Sequence, residues 1–253
     1  MKRSTIWILA AVLTAMPAAR PLRAQSGPAA AGSKEALAVV EKLVSAMGGR
    51  KALASIKDTT VSGTAEMVQY GITVPITVYQ KGTDKLRVEL TIPEANMTVV
   101  RAYDGRKAWV TDPRSGAVEE LPAFMARQLA RQAAGTLAWL DPRQAGVTYA
   151  LKPKAALEGK DYVVLEQTEA DGHKTVYYLD PETYLPYLTR TRAFDQSGIE
   201  VDTETYSTRY ERTGGIMVPY ALRTLHNGAE AQRITITAVT RNTNLDDGLF
   251  TLK

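Results

Sequence analysis

The chain of 253 residues contains no cysteine. That excludes disulfides and thiolate chemistry, and it leaves no residue for bacterial lipidation after an export signal. Histidine is almost as scarce: only His173, beside Asp171-Gly172, and His226, before Asn227-Gly228. Two loop-end histidines so far apart, with no His-x-x-x-His or carboxylate-histidine spacing, do not form a metal site, and both are expected on the solvated surface. No glycine-rich phosphate loop and no Gly-x-Ser-x-Gly elbow occurs. The paired carboxylates Glu119-Glu120 and Asp246-Asp247 fall in expected turns, where they read as solvated. No long apolar run lies beyond the N-terminus, so no later segment reads as a spanning helix.

What the N-terminus does have is the layout of a secretory signal: Lys2 and Arg3, then an uncharged stretch rich in Ile, Leu, Ala and Val, with a cut expected after Ala24. An uncleaved anchor is the alternative. Residues 1–24 are therefore expected to leave as a signal peptide, with 25–32 a flexible leader of small residues that has no means of packing. A single domain follows over 33–253. Of the 31 basic side chains, the four in the signal are lost, leaving 27 against 27 acidic ones. The exported protein is formally neutral, so its basic isoelectric point does not signal nucleic acid. Export to a periplasm fits both the signal and the missing cysteine.

The remainder reads as mainly β. In the run 72–79 the even positions are aliphatic and the odd ones are Thr, Pro, Thr and Tyr, the period of a half-buried strand. The run 86–92 repeats it: Leu86, Val88, Leu90 and Ile92 on one face, Arg87, Glu89 and Thr91 on the other. A one-residue slip would put four aliphatics in water, so register is strongly specified. Further strands are expected over 59–69, 97–103, 107–110, 147–152, 162–168, 175–179, 188–195, 201–211, 217–226 and 232–240. Gly63 predicts a bulge or a close backbone approach, and Pro75 an edge position or a bulge. Hairpin dipeptides such as Asp104-Gly105 and Asn227-Gly228 separate the runs. The fold class is a curved antiparallel sheet or incomplete β-barrel of about eleven strands covered by a few helices.

Helices are expected at three places, one of them a short turn over Arg50 to Ile56. Ser33 caps one whose apolar stripe holds Leu37, Val40, Val44 and Met47 and which ends at Gly48-Gly49. Pro122 opens another through about Gln132, amphipathic, with Phe124, Met125 and Leu129 together and Arg127 and Arg131 on a neighbouring face; Trp139 follows. A sheet of this size curls and leaves a concavity beneath its cover, either a ligand cavity or a filled core. The expected wall of that hollow is Val74, Ile76, Val78, Leu86, Val88, Leu90 and Val99, with Tyr103 and Trp109. The expected lid is Phe124, Met125, Leu129 and Trp139, leaving Arg127 and Arg131 to face water or an anionic headgroup.

At this point a resemblance enters. The helix ending Ala46-Met47-Gly48-Gly49, the Gly63 strand, Leu86-Arg87-Val88-Glu89 leading to Pro93, and Tyr103-Asp104-Gly105 with Trp109 stand in order along the chain. Tyr178-Leu179-Asp180 with Leu185-Pro186, Gly215-Ile216 with Pro219, and Asn244-Leu245 to Phe250 follow. Together they resemble the periplasmic lipoprotein carriers and receptors LolA and LolB, with their outer-membrane lipoprotein-sorting relatives. The resemblance implies a half-barrel closed by helices that holds lipoprotein acyl chains. Family carriers place an Arg-Pro pair, tied to lid closure and hand-over, before the strand that matches Leu86; this chain has Lys81-Gly82-Thr83-Asp84 there. Expected partners are acyl chains of lipids or lipoproteins, with no enzymatic activity, no cofactor, no metal and no nucleic acid, and with the protein a monomer. The alternative is an envelope interaction or sensor module of the same fold that binds a protein partner.

Overall fold

The computed structural model describes residues 31–112, 115–195 and 198–251. The expected signal and all but the last two residues of the leader lie outside them. Those two are packed: Ala31 is buried, its carbonyl accepts from the Tyr149 amide at 2.9 Å, and Gly32 bridges to Tyr149.

Four helices are described: α1 (Lys34–Met47), α2 (Arg50–Ala54), α3 (Ala123–Ala134) and α4 (Leu137–Leu140). Thirteen strands accompany them. The first meander is β1 (Asp58–Met67), β2 (Ile72–Lys81), β3 (Lys85–Ile92), β4 (Met97–Tyr103), β5 (Ala108–Thr111) and β6 (Val118–Glu120). The second is β7 (Val147–Leu157), β8 (Lys160–Glu169), β9 (Lys174–Leu179), β10 (Pro186–Phe194), β11 (Glu200–Thr213), β12 (Ile216–His226) and β13 (Ala229–Arg241). They form one antiparallel sheet in the order β6-β5-β4-β3-β2-β1-β13-β12-β11-β10-β9-β8-β7. The sheet is open, with β6 and β7 as its edges. The strand missing from the expected set is β6, where Glu119 and Glu120 pair with Val110 and Trp109 instead of sitting in a turn.

The order explains the helices. β6 and β7 are consecutive in the chain yet lie at opposite edges, so the segment between them must cross the whole sheet. α3 touches β3, β4 and β5 on one side and β10 on the other. β3 and β10 are six strand spacings apart, about 29 Å in a flat sheet, whereas twelve helical residues reach only about 18 Å. One short helix meets both only because the sheet curls round it, which makes a half-barrel with α3 across the hollow.

Local chemistry matches the elements. The Ser33 side chain accepts from the Ala36 amide at 3.1 Å and starts α1. Six residues of α1 are buried against β7, β12 and α4, each larger side chain contributing roughly 1.5–3 kcal/mol. At Gly63 the ladder to β13 shifts, and a Cβ there would stand 2.2 Å from the Thr235 carbonyl oxygen. Pro75 sits in an interior strand, not at an edge, but the β2–β3 ladder begins at Ile76, so the proline lies one residue beyond it.

The C-terminal segment runs along the outer face. The Asp58 carboxylate, 3 % exposed, accepts from the Thr243 amide at 2.8 Å, the Thr243 hydroxyl at 3.1 Å and the Asn244 amide at 2.9 Å. Burial alone would raise its pKa; these bonds outweigh it and hold the group below the usual carboxylate value. Asp246 caps the last turn through the Gly248 amide, and Asp247 pairs with Lys81 and Lys85 at 2.8 and 2.9 Å, so this acidic pair anchors the segment instead of being merely solvated.

Candidate functional site

Strand pairing places the aliphatic parity expected for β2 and β3 on the face that α3 covers. Ile76 pairs with Leu90 and Val78 with Val88; Leu90 pairs in turn with Val99. Val74 and Ile76 are buried against Ala65, with Val78, Val88, Leu90, Ile92 and Ile234 packed around them. Val78, Val88, Leu90 and Val99 are half-buried, and Ile72 at the rim is 43 % exposed. Six of the expected wall residues therefore form a continuous, partly open apolar surface. Arg101, opposite Val88 and Val110, is the one charged side chain on this face of β1–β4, and burial lowers its pKa.

Three expected wall residues sit elsewhere. Leu86 is packed core beneath α3, in contact with Ala108, Leu129 and Ala133, and Tyr103 lies against that cluster. Trp109 is on the opposite face of the sheet. Tyr103 pairs with Ala108, so the next residue must point the other way. It is buried with Val100 and Ala102, and its Nε1 donates to the Phe250 carbonyl at 3.2 Å.

The expected lid residues likewise do not share one surface. Leu129 and Ala133 of α3 rest on β3 and β5, assisted by a bond from Gln80 Nε2 to the Ala133 carbonyl at 2.8 Å. Phe124 turns to the other half and meets Phe194 with ring centroids 4.4 Å apart. Met125 is half-buried. Trp139 belongs to α4 and packs on Tyr177 and the core beneath α1. The Gln128 side chain both donates to the Phe194 carbonyl, at 3.1 Å, and accepts from its amide, at 2.7 Å. The β9–β10 ladder ends with Thr175 opposite Thr191, short of Phe194, so Gln128 serves a strand end that the ladder does not reach. Arg131 is not free for a headgroup: its guanidinium pairs with Glu169 at 2.8 Å and Asp171 at 2.5 Å. Arg127 is exposed, with no ion-pair partner among the described residues.

A partly open cavity lies beyond these contacts. A cavity of about 560 Å³ is bounded by α3, α4 and the inner faces of β8–β11. Thr191, Thr203, Thr205 and Thr175 form its floor with Gln167 and Tyr177. Gln167 accepts from Tyr149 and Tyr177 hydroxyls at 2.8 and 3.2 Å, and burial raises the Tyr177 pKa to about 12. Thr203 Oγ1 is buried without a hydrogen-bond partner among the described residues. An adjoining recess of about 420 Å³ opens past Phe124, Lys174 and Arg192. His173 lines both and is not a solvated surface residue: it is half-buried, its Nε2 lies 2.9 Å from Thr191 Oγ1, and burial and Arg131 lower its pKa. His226 is half-buried as well. Among the described residues no cluster of three or more His, Asp or Glu could hold a metal ion.

The signal for this floor was present as charge alternation. In β10 and β11, Arg190 and Arg192 pair with Glu204 and Asp202 on one face at 2.7 and 3.5 Å, which leaves Thr189, Thr191, Thr203 and Thr205 on the other.

This architecture defines a class, the LolA-like fold: an open, curved antiparallel sheet with a helix across its hollow. Solved structures of similar fold include a LolA superfamily protein from Nitrosomonas europaea, 17 % identical with a TM-score of 0.58, covering 86 % of this chain and 97 % of that one. A DUF1329 family protein from Desulfovibrio piger is 16 % identical with a TM-score of 0.58, over 86 % and 96 % of the two chains. A putative outer membrane lipoprotein-sorting protein domain from Vibrio parahaemolyticus is 14 % identical with a TM-score of 0.56, over 85 % and 95 %. No protein-family profile and no curated protein matches the sequence. At these identities the likeness is one of fold. No helix among the described residues is long and apolar enough to cross a membrane.

Proposed function

We propose that the protein binds acyl chains of lipids or lipoproteins on the inner wall of β1–β4, without covalent chemistry, as a periplasmic carrier. The observation that carries this reading is the apolar surface of Val74, Ile76, Val78, Val88, Leu90 and Val99, which stays partly open although α3 crosses the same face. Monomeric proteins seldom leave such a surface uncovered without a use for it. Each methylene laid on it would contribute about 0.8 kcal/mol, so a chain of ordinary length is held without full enclosure. The fold supports the reading, since two proteins of similar architecture carry lipoprotein sorting or LolA in their names. Export by a cleaved N-terminal signal, and action as a monomer, belong to the same proposal.

In this reading α3 is the movable cover, and Lys81-Gly82 in place of the Arg-Pro pair means that its closure relies on other contacts, those of Gln128 and Arg131. The test is to express the full chain with its own N-terminal segment, purify it from a periplasm and analyse its organic extract by mass spectrometry. A stoichiometric acyl lipid is the expected result. An empty extract together with a co-purified envelope protein would replace the carrier by an interaction module.

A further inference from the structure

We propose that the cavity between α3 and β8–β11 is a second ligand site, made for a neutral polyhydroxylated group, a sugar or polyol. Its volume of about 560 Å³ lies within the range of small-molecule pockets. The lining differs from the acyl wall in setting hydroxyls, amides and charged groups among apolar side chains such as Ala138, Val147 and Phe194. Threonine hydroxyls from β9, β10 and β11 form the floor; that of Thr191 already donates to the Lys174 carbonyl and that of Thr205 lies 3.4 Å from the Thr224 hydroxyl, which leaves them acceptor capacity toward a ligand. One of them, Thr203 Oγ1, is buried and has no hydrogen-bond partner among the described residues. A buried polar atom of that kind is unfavourable unless something meets it, and Thr203 lines the cavity.

Charge selects the ligand class. Arg127, Arg131 and Arg192 reach this cavity, and so do Glu169, Asp171 and Glu200. Arg131 is matched by Glu169 and Asp171, and Arg192 by Glu200 at 2.9 Å. The formal charge of the lining is zero, so an ion of either sign gains no net attraction on entering. Charged side chains still supply strong donors and acceptors around a floor of hydroxyls, which suits a ligand rich in hydroxyls of its own. The group can be the head of a glycolipid whose chain lies on the acyl wall, or a free sugar; only the first case rests on the lipid-binding reading.

Calorimetric titration of the mature chain with n-dodecyl-β-maltoside, dodecyl phosphate and maltose, the detergents below micellar concentration, separates these cases. The maltoside is expected to bind at least about tenfold more tightly than the phosphate of equal chain length, the worth of one or two hydrogen bonds. Thr203→Val should weaken maltoside binding by about threefold to tenfold, leave dodecyl phosphate unchanged and unfold at the same or a higher temperature. Thr203→Ser, which keeps the hydroxyl, should bind like the parent. Equal affinity for both head groups, tighter binding of the phosphate, or unchanged maltoside binding by Thr203→Val would each overturn the site while leaving the acyl wall standing. Maltose binding as well as its dodecyl derivative, with no binding of dodecyl phosphate, would keep the site and overturn the acyl wall. Failure of all three probes overturns both.

Discussion

The inner face of the half-barrel has two halves built on the same strand alternation with different side chains. β1–β4 turn valine, isoleucine and leucine toward the hollow; β9–β11 turn threonine. α3 touches both and holds each by a different force. On the first half it rests through Leu129 and Ala133 on Leu86 and Ala108. On the second it is tied by Gln128 to the Phe194 backbone and by Arg131 to Glu169 and Asp171. Apolar packing carries no charge for salt to screen or protons to titrate, whereas ion pairs are both screened by salt and lost when a partner titrates. If α3 is the movable cover proposed above, it would be released along the polar edge while it stays seated on the apolar one.

The largest effect expected from breaking this arrangement is on the apolar side. Leu129→Ala removes a buried side chain from the contact with Leu86 and should lower the unfolding free energy by about 2–4 kcal/mol in urea. Gln128→Ala should cost about 1–3 kcal/mol, because it strands the Phe194 amide and carbonyl, and faster amide exchange should be confined to α3 and the end of β10. A smaller effect on stability is expected from Val88→Glu. Val88 is half-buried, so the charge reaches water at a cost of about 1–2 kcal/mol, while binding of a dodecyl ligand is lost.

The polar side should also respond to acid, with the smallest effect of all. The hydrogen bond from the His173 amide, followed by Arg131, holds the Asp171 pKa below its ordinary 3.8. A depressed carboxyl favours the folded arrangement at every pH above the ordinary value and ceases to do so only as pH falls through the depressed one. The Arg131 tie should therefore be intact at neutral pH and open only below about pH 4. Carbonyl-detected NMR titration of Asp171 checks this: the midpoint should lie under 3.8 and move up toward it in Arg131→Ala.

The same contrast explains what the sequence could disclose. In β3 the two faces differ in kind, Leu86, Val88, Leu90 and Ile92 against Arg87, Glu89 and Thr91, and inward parity is legible without a structure. Threonine suits either face of a strand, so the floor of the cavity shows itself only indirectly, through the ion pairs on its back. Trp109 faces outward because the Asp104 turn sets Ala108, not Trp109, opposite Tyr103, a register that the apolar character of an indole does not disclose. β6 escaped because Val118-Glu119-Glu120 has no strand composition; it forms because β5 offers it a free edge. The role of α3 follows from a pairing across the chain, β1 with β13, since that pairing sends β6 and β7 to opposite edges. Local patterns carry no trace of it, and only the likeness to LolA-type proteins suggested where the cover lies.

The central claim, that an acyl chain lies along β1–β4 beneath α3, is tested most directly by methyl NMR of valine, leucine and isoleucine during titration with a dodecyl ligand. The account predicts shifts at Ile76, Val88, Leu90 and Val99, which share the inner face, and none at Val100 or Val118, which pack with Trp109 on the outer one. Shifts confined to the outer-face methyls, or no shifts at saturating ligand, would contradict it.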